Sequence, residues 1–202
     1  MAEGSDAGEE PPSLYVDLDG TLVATDLLRR ACLQLAFRRP TEMLLSIPAL
    51  LRGRAAFKRR VAQGVDFDPA GLPYRREVIE VIRHARERGA RAVLATASDA
   101  LFAERVADHL GLFDAVLASD GELNLKGRKK LEAILRDADS AFDYVGDSKA
   151  DLSIWSHARR AIVVAPSRGT LRAAAAVAGQ VDLLVPRPSR LGALMRVLRL
   201  RG

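Results

Sequence analysis

Cysteine and aromatic residues are scarce in this chain of 202 residues. Cys32 is the single cysteine, so no disulfide can form within the chain, and a reducing, cytoplasmic setting is predicted. We interpret Cys32 as a packed small apolar residue. Phe, Trp and Tyr together make up 5% of the sequence, which disfavours proteins that stack nucleic-acid bases on aromatic rings. We therefore expect no nucleic-acid partner.

Long apolar runs are missing as well. The most apolar window, residues 43–51, is only about half the ~20 residues that a membrane-spanning helix needs. The first residues are acidic and polar, whereas a signal peptide begins with basic residues and continues with an apolar run. The sequence therefore predicts a protein with no signal peptide and no membrane-spanning helix.

Acidic and basic residues are unevenly distributed along the chain, whose net charge is +5. Residues 1–13 hold four acids and no basic residue, which is typical of a disordered leader. Residues 27–76 hold eleven Lys or Arg against three acids, and residues 186–202 hold five arginines and no acid. The basic middle segment could attract an anionic substrate, form a solvated helix face, or contact an anionic membrane surface.

Predicted strands and helices alternate along most of the chain. Strands are predicted at residues 13–19, 91–98, 115–120, 142–147, 161–165 and 181–186. Helices are predicted at residues 75–89, 99–111, 127–139, 148–159 and 169–179, from apolar residues that recur at helical spacing. This alternation predicts an α/β fold with a Rossmann-like, doubly wound parallel sheet.

Residues 23–73 do not follow the alternation. Their leucine-rich stretches 26–39 and 41–53, and the stretch 55–64, have helical character. We interpret 23–73 as a small helical cap inserted after the first strand of a core formed by residues 14–22 and 74–185. Residues 186–202 are interpreted as a basic C-terminal helix or tail.

Polar residues follow several of the predicted strands. Ligands of doubly wound sheets bind beyond the carboxyl ends of the strands, and those ends offer Asp17 and Asp19, Thr96 and Ser98, Asp120, and Asp147. Lys126 opens the next helix, and Asp151 follows Asp147 in the stretch GDSKAD. Together they offer a carboxylate nucleophile, a metal site, a hydroxyl donor and a cation, which phosphoryl transfer requires.

The stretches DLDGTL and GDSKAD identify the chain, over residues 14–165, as resembling the haloacid dehalogenase (HAD) superfamily. The chain also resembles the HAD domain that is fused to some integral-membrane polyprenyl transferases. This resemblance lies in the stretches LVATDLL, KRRVA, LPYRREV, VLATASD, HLGLFDAVLASDG, NLKG and ADLSIW. We expect the transferase itself to be absent, since no apolar segment of spanning length follows. Contact with a separate prenyl transferase is a further expectation from this resemblance.

The resemblance implies a catalytic role for four residues. Asp17 would be the nucleophile that forms an aspartyl-phosphate, and Asp19 the general acid and then the general base. Thr96 would donate its hydroxyl to a phosphoryl oxygen, and Lys126 would pair with the phosphoryl group and Asp17. Lys129 and Lys130 remain alternatives to Lys126, which is preferred because it precedes Gly127 in a turn. Ser98 could replace Thr96, although it is better interpreted as a helix N-cap, a role for which Asp99 is the alternative.

The resemblance also implies a Mg²⁺ cofactor. Its ligands would be Asp17, Asp147 and the backbone carbonyl of Asp19, and Mg²⁺ prefers such oxygen ligands. The metal would neutralise the clustered carboxylates, which otherwise repel one another. Asp151 would orient Lys126 or a metal-bound water, and Gly20 and Thr21 would let the chain turn beside the site.

The expected activity is hydrolysis of a small anionic phosphomonoester by a Mg²⁺-dependent phosphatase. HAD dehalogenases lack the second acid, so the presence of Asp19 favours phosphoryl chemistry. A phosphomutase or phosphotransferase would share every motif, and a non-catalytic partner of a membrane prenyl transferase is a third hypothesis. The expected location is the cytoplasm, with possible attachment to the inner face of the membrane through the basic segments.

Overall fold

The computed structural model describes residues 11–185 and has a six-stranded parallel sheet at its centre. The strands are β1 (Ser13–Val16), β2 (Ala92–Asp99), β3 (Ala115–Ser119), β4 (Phe142–Gly146), β5 (Arg160–Val164) and β6 (Val181–Leu184). They lie in the order β3-β2-β1-β4-β5-β6, with Val16 of β1 level with Leu94 of β2 and Val145 of β4. The predicted doubly wound, Rossmann-like α/β fold is confirmed.

Five helices cover the sheet, namely α4 (Arg76–Glu87), α5 (Ala100–Leu110), α6 (Arg128–Asp137), α7 (Leu152–Trp155) and α8 (Arg168–Val177). Side chains of a strand alternate between its two faces, so Leu14 and Val16 join one apolar cluster with Ile82 of α4. Tyr15 joins a second cluster with Ile134 of α6. Both faces of the sheet are therefore buried, as in other parallel sheets.

The segment between β1 and α4 is helical, as predicted. It comprises α1 (Leu27–Arg38), α2 (Pro40–Ser46), a 3₁₀ helix (Ile47–Arg52), α3 (Arg54–Gly64) and a 3₁₀ turn (Pro69–Gly71). The Asp26 carboxylate caps α1 by accepting a hydrogen bond from the Arg29 amide. Leu27, Leu35 and Val61 are buried in the cluster that covers one face of the sheet, so this cap packs directly on the core.

Two predicted helices differ from the structure. The helix predicted at 41–53 changes to 3₁₀ geometry after Ser46, because Pro48 has no amide hydrogen for the α-helical bond. The helix predicted at 148–159 is a 3₁₀ turn (Lys149–Asp151) followed by the short α7. The Ser156 and His157 side chains both contact the carbonyl of Ser153, which competes with helix continuation.

Two predicted segments fall largely on residues that the structure does not describe. The acidic leader was predicted at 1–13, and only residues 11–13 of it are described; Ser13 already belongs to β1. The basic tail at 186–202 lies entirely outside the described residues. Between residues 11 and 185, no helix is both long and apolar enough to cross a bilayer.

Candidate active site

The candidate site lies where the strand order changes direction. β1 is flanked by β2 and β4, and the chain proceeds to one side through β2 and β3 and to the other through β4, β5 and β6. Asp17 follows β1 and Asp147 follows β4, and the Asp17 amide donates to the carbonyl of Val145 at 3.0 Å. The crevice beyond this point is the usual ligand position in doubly wound sheets.

A cavity of about 780 Å³ occupies this crevice. Its core wall includes Asp17, Asp19, Thr96, Lys126, Lys130, Asp147 and Asp151, and its cap wall includes Leu28, Leu50, Arg54, Phe57 and Lys58. The two walls place the charged residues of the core opposite both apolar and cationic residues of the cap. A ligand in this cavity would therefore contact the core and the cap together.

Lys130 provides the positive charge beside Asp17. Its Nζ lies 2.9 Å from Asp17 Oδ1 and 3.4 Å from Asp151 Oδ1, and its side chain is buried. Burial alone would lower the pKa of Lys130, but the charges of Asp17 and Asp151 outweigh burial and raise this pKa. Lys130 therefore stays protonated beside the candidate nucleophile.

The predicted pairing of Lys126 with Asp17 is a point where the sequence interpretation needs correction. Lys126 is exposed, lies in the loop before α6, and only lines the cavity. Lys130 is the third residue of α6 and lies four residues before the buried Ile134, so its side chain lies on the buried face. The packing of α6 on the sheet brings this lysine, and not the lysine that precedes Gly127, to Asp17.

Asp151 supports Lys130 rather than Lys126. Its Oδ1 accepts hydrogen bonds from Lys130 and from the Tyr144 hydroxyl, the latter at 2.9 Å. Its Oδ2 accepts from the Ser148 amide and hydroxyl, both at 3.2 Å. Lys130 also donates to the Tyr144 hydroxyl at 2.7 Å. Sequence reasoning missed Tyr144, because a tyrosine within a strand resembles an ordinary core residue.

Asp19 is held apart from the Asp17–Lys130 pair. Its Oδ1 accepts from the Leu27 amide at 2.7 Å, and its Oδ2 accepts a short hydrogen bond from the Ser98 hydroxyl. Of the two predicted N-cap candidates, Asp99 and not Ser98 caps α5, by accepting from the Leu101 amide. Burial raises the pKa of Asp19, although the Ser98 and Leu27 hydrogen bonds oppose it.

Thr96 lies at the cavity wall, as its position near the end of β2 predicted. It is fully buried, and its Oγ1 accepts a hydrogen bond from the Ser98 amide at 3.0 Å. Among the described residues, none accepts the hydroxyl hydrogen of Thr96, so this hydrogen is available to a ligand. Asp120, another strand-end residue, instead accepts from the Glu122 and Leu123 amides in an exposed turn.

The turn after β1 brings its backbone against Asp147. Gly20 has a φ of +80°, and a Cβ at this position would collide with the carboxylate of Asp147, so glycine is required there. Thr21 is fully buried, and its hydroxyl donates to Asp17 Oδ2 at 3.5 Å. Gly20 and Thr21 thus have the supporting positions that the sequence predicted.

Three carboxylates gather at the crevice. Oxygen atoms of Asp17, Asp147 and Asp151 lie within 4.8 Å of one another. Burial raises the pKa of Asp17 to about 7; Lys130 opposes this shift, and Asp151 adds to it. Burial and the charge of Asp151 raise the pKa of Asp147 to about 6. The negative charge of the cluster is therefore only partly balanced by protein groups.

One cap residue reaches across the cavity to the core. Lys58 of α3 donates to the carbonyl of Ala97 at 2.6 Å and to Asn124 Oδ1 at 2.8 Å. Burial lowers the pKa of Lys58, while Asp19 opposes this shift. The sequence indicated only that the cap is basic, because the charge pattern cannot show which of its basic residues points inward.

Comparisons with known proteins agree with this fold. Residues 14–155 match the family model of haloacid dehalogenase-like hydrolases. The uncharacterized protein y4nM of Sinorhizobium fredii is 40% identical over 151 residues, which are 75% of this chain and 29% of y4nM. The chain therefore spans less than a third of that relative's length.

Solved structures share the architecture. A protein of unknown function from Bordetella pertussis Tohama I has a TM-score of 0.60 and 18% identity, over 86% of this chain and 99% of that chain. A substrate-bound phosphoserine phosphatase complex has a TM-score of 0.59 and 15% identity, over 95% and 99%. The sheet and the acidic strand ends define a Rossmann-like α/β protein with a carboxylate-lined cavity. The chain belongs to the haloacid dehalogenase-like hydrolase family.

Proposed function

We propose that this chain hydrolyses phosphomonoesters through a phosphorylated Asp17. The observation that carries the proposal is the buried pair of Asp17 and Lys130, joined at 2.9 Å at the end of β1. A second carboxylate, that of Asp19, stands two residues further along the chain at the wall of the same cavity. A nucleophile, a separate acid and a fixed cation are the groups that such a reaction requires.

The reaction takes place in two displacements. In the first, a carboxylate oxygen of Asp17 bonds to phosphorus, the ester P–O bond breaks, and Asp19 protonates the departing alcohol oxygen. In the second, Asp19 removes a proton from water, whose oxygen bonds to phosphorus as the Asp17–phosphorus bond breaks. The products are the alcohol and inorganic phosphate. The raised pKa of Asp19 suits a group that must hold and then release a proton.

Lys130 and Thr96 would bind the phosphoryl group during both displacements. Lys130 places a protonated amine beside Asp17, where negative charge develops on the phosphoryl oxygens. The Thr96 hydroxyl, whose hydrogen no described residue accepts, would be a second hydrogen-bond donor to these oxygens. Asp151 and Tyr144 hold the amine of Lys130 in place and so act as positioning residues.

The acidic cluster fits a Mg²⁺ ion. Its donors are oxygen atoms, its charge is incompletely balanced, and the Gly20 backbone approaches Asp147 where a side chain would not fit. Asp17, Asp147 and the backbone carbonyl of Asp19 would hold the ion. Both oxygens of Asp151 already accept hydrogen bonds, so Asp151 is better placed to support Lys130. When bound, Mg²⁺ would neutralise negative charge on the phosphoryl group.

The residues that the cap contributes to the cavity favour a small, anionic substrate. Arg54 and Lys58 line the cavity from α3, and Leu28, Leu50 and Phe57 line it beside them. Cations opposite the reactive carboxylates would attract a phosphorylated molecule, and the apolar residues would contact its non-phosphate part. The identity of that part is left to a screen of phosphorylated metabolites.

The test is the release of phosphate from p-nitrophenyl phosphate and from a panel of phosphorylated metabolites. We expect turnover by the wild type with Mg²⁺, its loss in EDTA, and its recovery when Mg²⁺ is added again. Asp17→Asn should lower kcat by at least about 10³-fold. Asp108→Asn is the matched control, because Asp108 is an exposed aspartate on α5; its kcat should equal that of the wild type.

Three results would contradict the proposal. Phosphate release that is unchanged in Asp17→Asn would exclude Asp17 as the nucleophile. Transfer of the phosphoryl group to a second metabolite, without phosphate release, would identify a mutase or phosphotransferase instead. If no substrate turns over, enzyme that has been incubated with the same panel should be quenched in acid and analysed by mass spectrometry. The absence of phosphorylated Asp17 would then favour a non-catalytic role.

A further inference from the structure

Exposed apolar side chains are concentrated at one place on the cap. The described residues expose twelve large hydrophobic side chains, and seven of them lie between residues 33 and 51. Five of these follow one another along α2 and the 3₁₀ helix, and we call them the cap patch: Leu44, Leu45, Ile47, Leu50 and Leu51. Leu51 is 92% exposed and Leu45 64% exposed. Five large exposed apolar side chains within eight residues of the chain indicate an interaction site.

Basic residues surround the cap patch. Arg38 and Arg39 precede α2, and Arg52 and Arg54 follow the patch directly along the chain. All four are exposed. Residues 27–64 contain nine Lys or Arg and a single acid, Glu42, whose carboxylate pairs with Arg39 at 3.3 Å. The surface around the patch is therefore strongly positive.

We propose that the cap patch and its arginines dock on the surface of an anionic lipid bilayer. Aliphatic side chains insert at the boundary between headgroups and acyl chains, while arginines contact anionic headgroups. Both requirements are met here by neighbouring residues of one segment. This proposal does not depend on the proposed function, because four of the five patch residues do not line the cavity, namely Leu44, Leu45, Ile47 and Leu51.

Charge disfavours binding of the cap patch by a second copy of this chain or by another segment of it. A second copy would bring the same basic residues against the patch, and like charges in contact are unfavourable. Residues 186–202 contain apolar residues but also five arginines and no acid. Residues 1–10 are acidic but contain no Leu, Ile, Val or Phe to cover the patch. An anionic bilayer surface supplies the opposite charge and the apolar interior together.

Docking would also orient the catalytic cavity. Leu50 belongs to the cap patch and lines the cavity. Contact through the patch would therefore hold the cap wall of the cavity near the lipid surface. Variants that test the docking must leave Leu50 and Arg54 intact, since both line the cavity.

The test is co-sedimentation of the full chain with phosphatidylcholine vesicles, with and without phosphatidylglycerol. We expect binding only to the vesicles that contain phosphatidylglycerol, and weaker binding as salt rises. Leu45→Gln/Leu51→Gln should lower the partition coefficient at least about tenfold. Each of Arg38→Gln and Arg52→Gln should lower it about fivefold. Activity on p-nitrophenyl phosphate without vesicles should be the same in all these variants.

The matched control is Leu135→Gln/Val177→Gln, which replaces two exposed apolar residues of α6 and α8; its binding should equal that of the wild type. No sedimentation with the anionic vesicles would overturn the proposal. Equal binding by Leu45→Gln/Leu51→Gln would also overturn it, because another basic segment would then carry the binding. A dimer in light scattering that this variant abolishes, without vesicle binding, would show that the patch joins two copies.

Discussion

At the scale of single residues, Lys130 determines the charge of the candidate site. Its ammonium group lies within 3.4 Å of two carboxylates, those of Asp17 and Asp151. Three lysines occur within five residues, at positions 126, 129 and 130, and only the last is buried. These neighbours allow the role of Lys130 to be tested against closely matched substitutions.

Lys130→Gln is expected to lower kcat on p-nitrophenyl phosphate about 10²- to 10³-fold, because it removes a cation from the position where phosphoryl charge develops. Lys129→Gln should leave kcat unchanged, since Lys129 is exposed. Lys126→Gln, at the cavity wall, should change kcat less than about tenfold. Steady-state kinetics of the three variants, with circular dichroism to verify folding, provide the measurement.

The reverse order of effects would contradict this assignment. A large loss of kcat in Lys126→Gln, with Lys130→Gln nearly unaffected, would mean that the loop before α6 changes conformation when substrate binds. Lys126 would then be the phosphoryl ligand, as the resemblance of the sequence first implied.

At the scale of elements, α3 joins the cap to the active edge of the sheet. Lys58 donates to the carbonyl of Ala97 and to Asn124, and Ala97 lies between the cavity residues Thr96 and Ser98. Ser119 donates to the same Ala97 carbonyl at 2.8 Å. The position of the cap is therefore connected to the C-terminal end of β2, where Ser98 contacts Asp19.

Lys58→Met should loosen this connection, because methionine keeps the apolar stem but cannot donate a hydrogen bond. We expect faster amide hydrogen exchange in α3 and a KM for p-nitrophenyl phosphate that rises about tenfold, since cap contacts bind and enclose substrate. Arg60→Met, an exposed change on the same helix, is the control. Unchanged exchange in α3 would show that apolar packing and the ion pair of Arg59 with Asp99, at 3.1 Å, fix the cap without Lys58.

At the scale of the whole molecule, a polar cluster joins β1, β2 and α6 away from the candidate site. Asp137, the last residue of α6, accepts from the Tyr15 hydroxyl at 2.7 Å. Arg91, just before β2, donates to both oxygens of Asp137, at 2.6 and 3.1 Å. Because Arg91 precedes its strand, the cluster lies at the opposite end of β2 from Thr96 and contributes to stability rather than to catalysis.

Asp137→Asn should lower the free energy of unfolding by about 1–2 kcal/mol at pH 7, because hydrogen bonds to a charged carboxylate are lost. The hydrogen bond from Arg91 lowers the pKa of Asp137 in the folded chain. The stabilisation is therefore present above the unfolded pKa of about 4 and is lost as pH falls through the lower folded pKa. Urea unfolding at pH 7, 4 and 3 measures the difference between the two proteins.

Asp139→Asn is the control for this stability measurement, since Asp139 is exposed. It should unfold like the wild type at each pH. A difference between wild type and Asp137→Asn that grows as the pH falls below 4 would contradict the predicted direction of the pKa shift.

Much of this architecture could be predicted from local patterns. The apolar spacing of α4 and α6, with Val78 and Ile82 or Leu131 and Ile134 on one face, was enough to locate both helices. Acids that directly follow strands, such as Asp17 and Asp147, were predictable as site residues because parallel strands end at one edge. Short segments such as α7 were less predictable, since side-chain contacts with Ser153 shorten the helix.

The amino-acid sequence by itself determined the order of strands and helices, the place of the cap and the acids at the strand ends. These features depend on residue spacing along one segment. Only the tertiary structure decided that Lys130 is the lysine that contacts Asp17 and that the Tyr144 hydroxyl accepts a hydrogen bond from it. The contact of Ser98 with Asp19 was also decided there. The residues of these contacts are up to 113 positions apart in the chain, and only the packing of helices on the sheet brings them together.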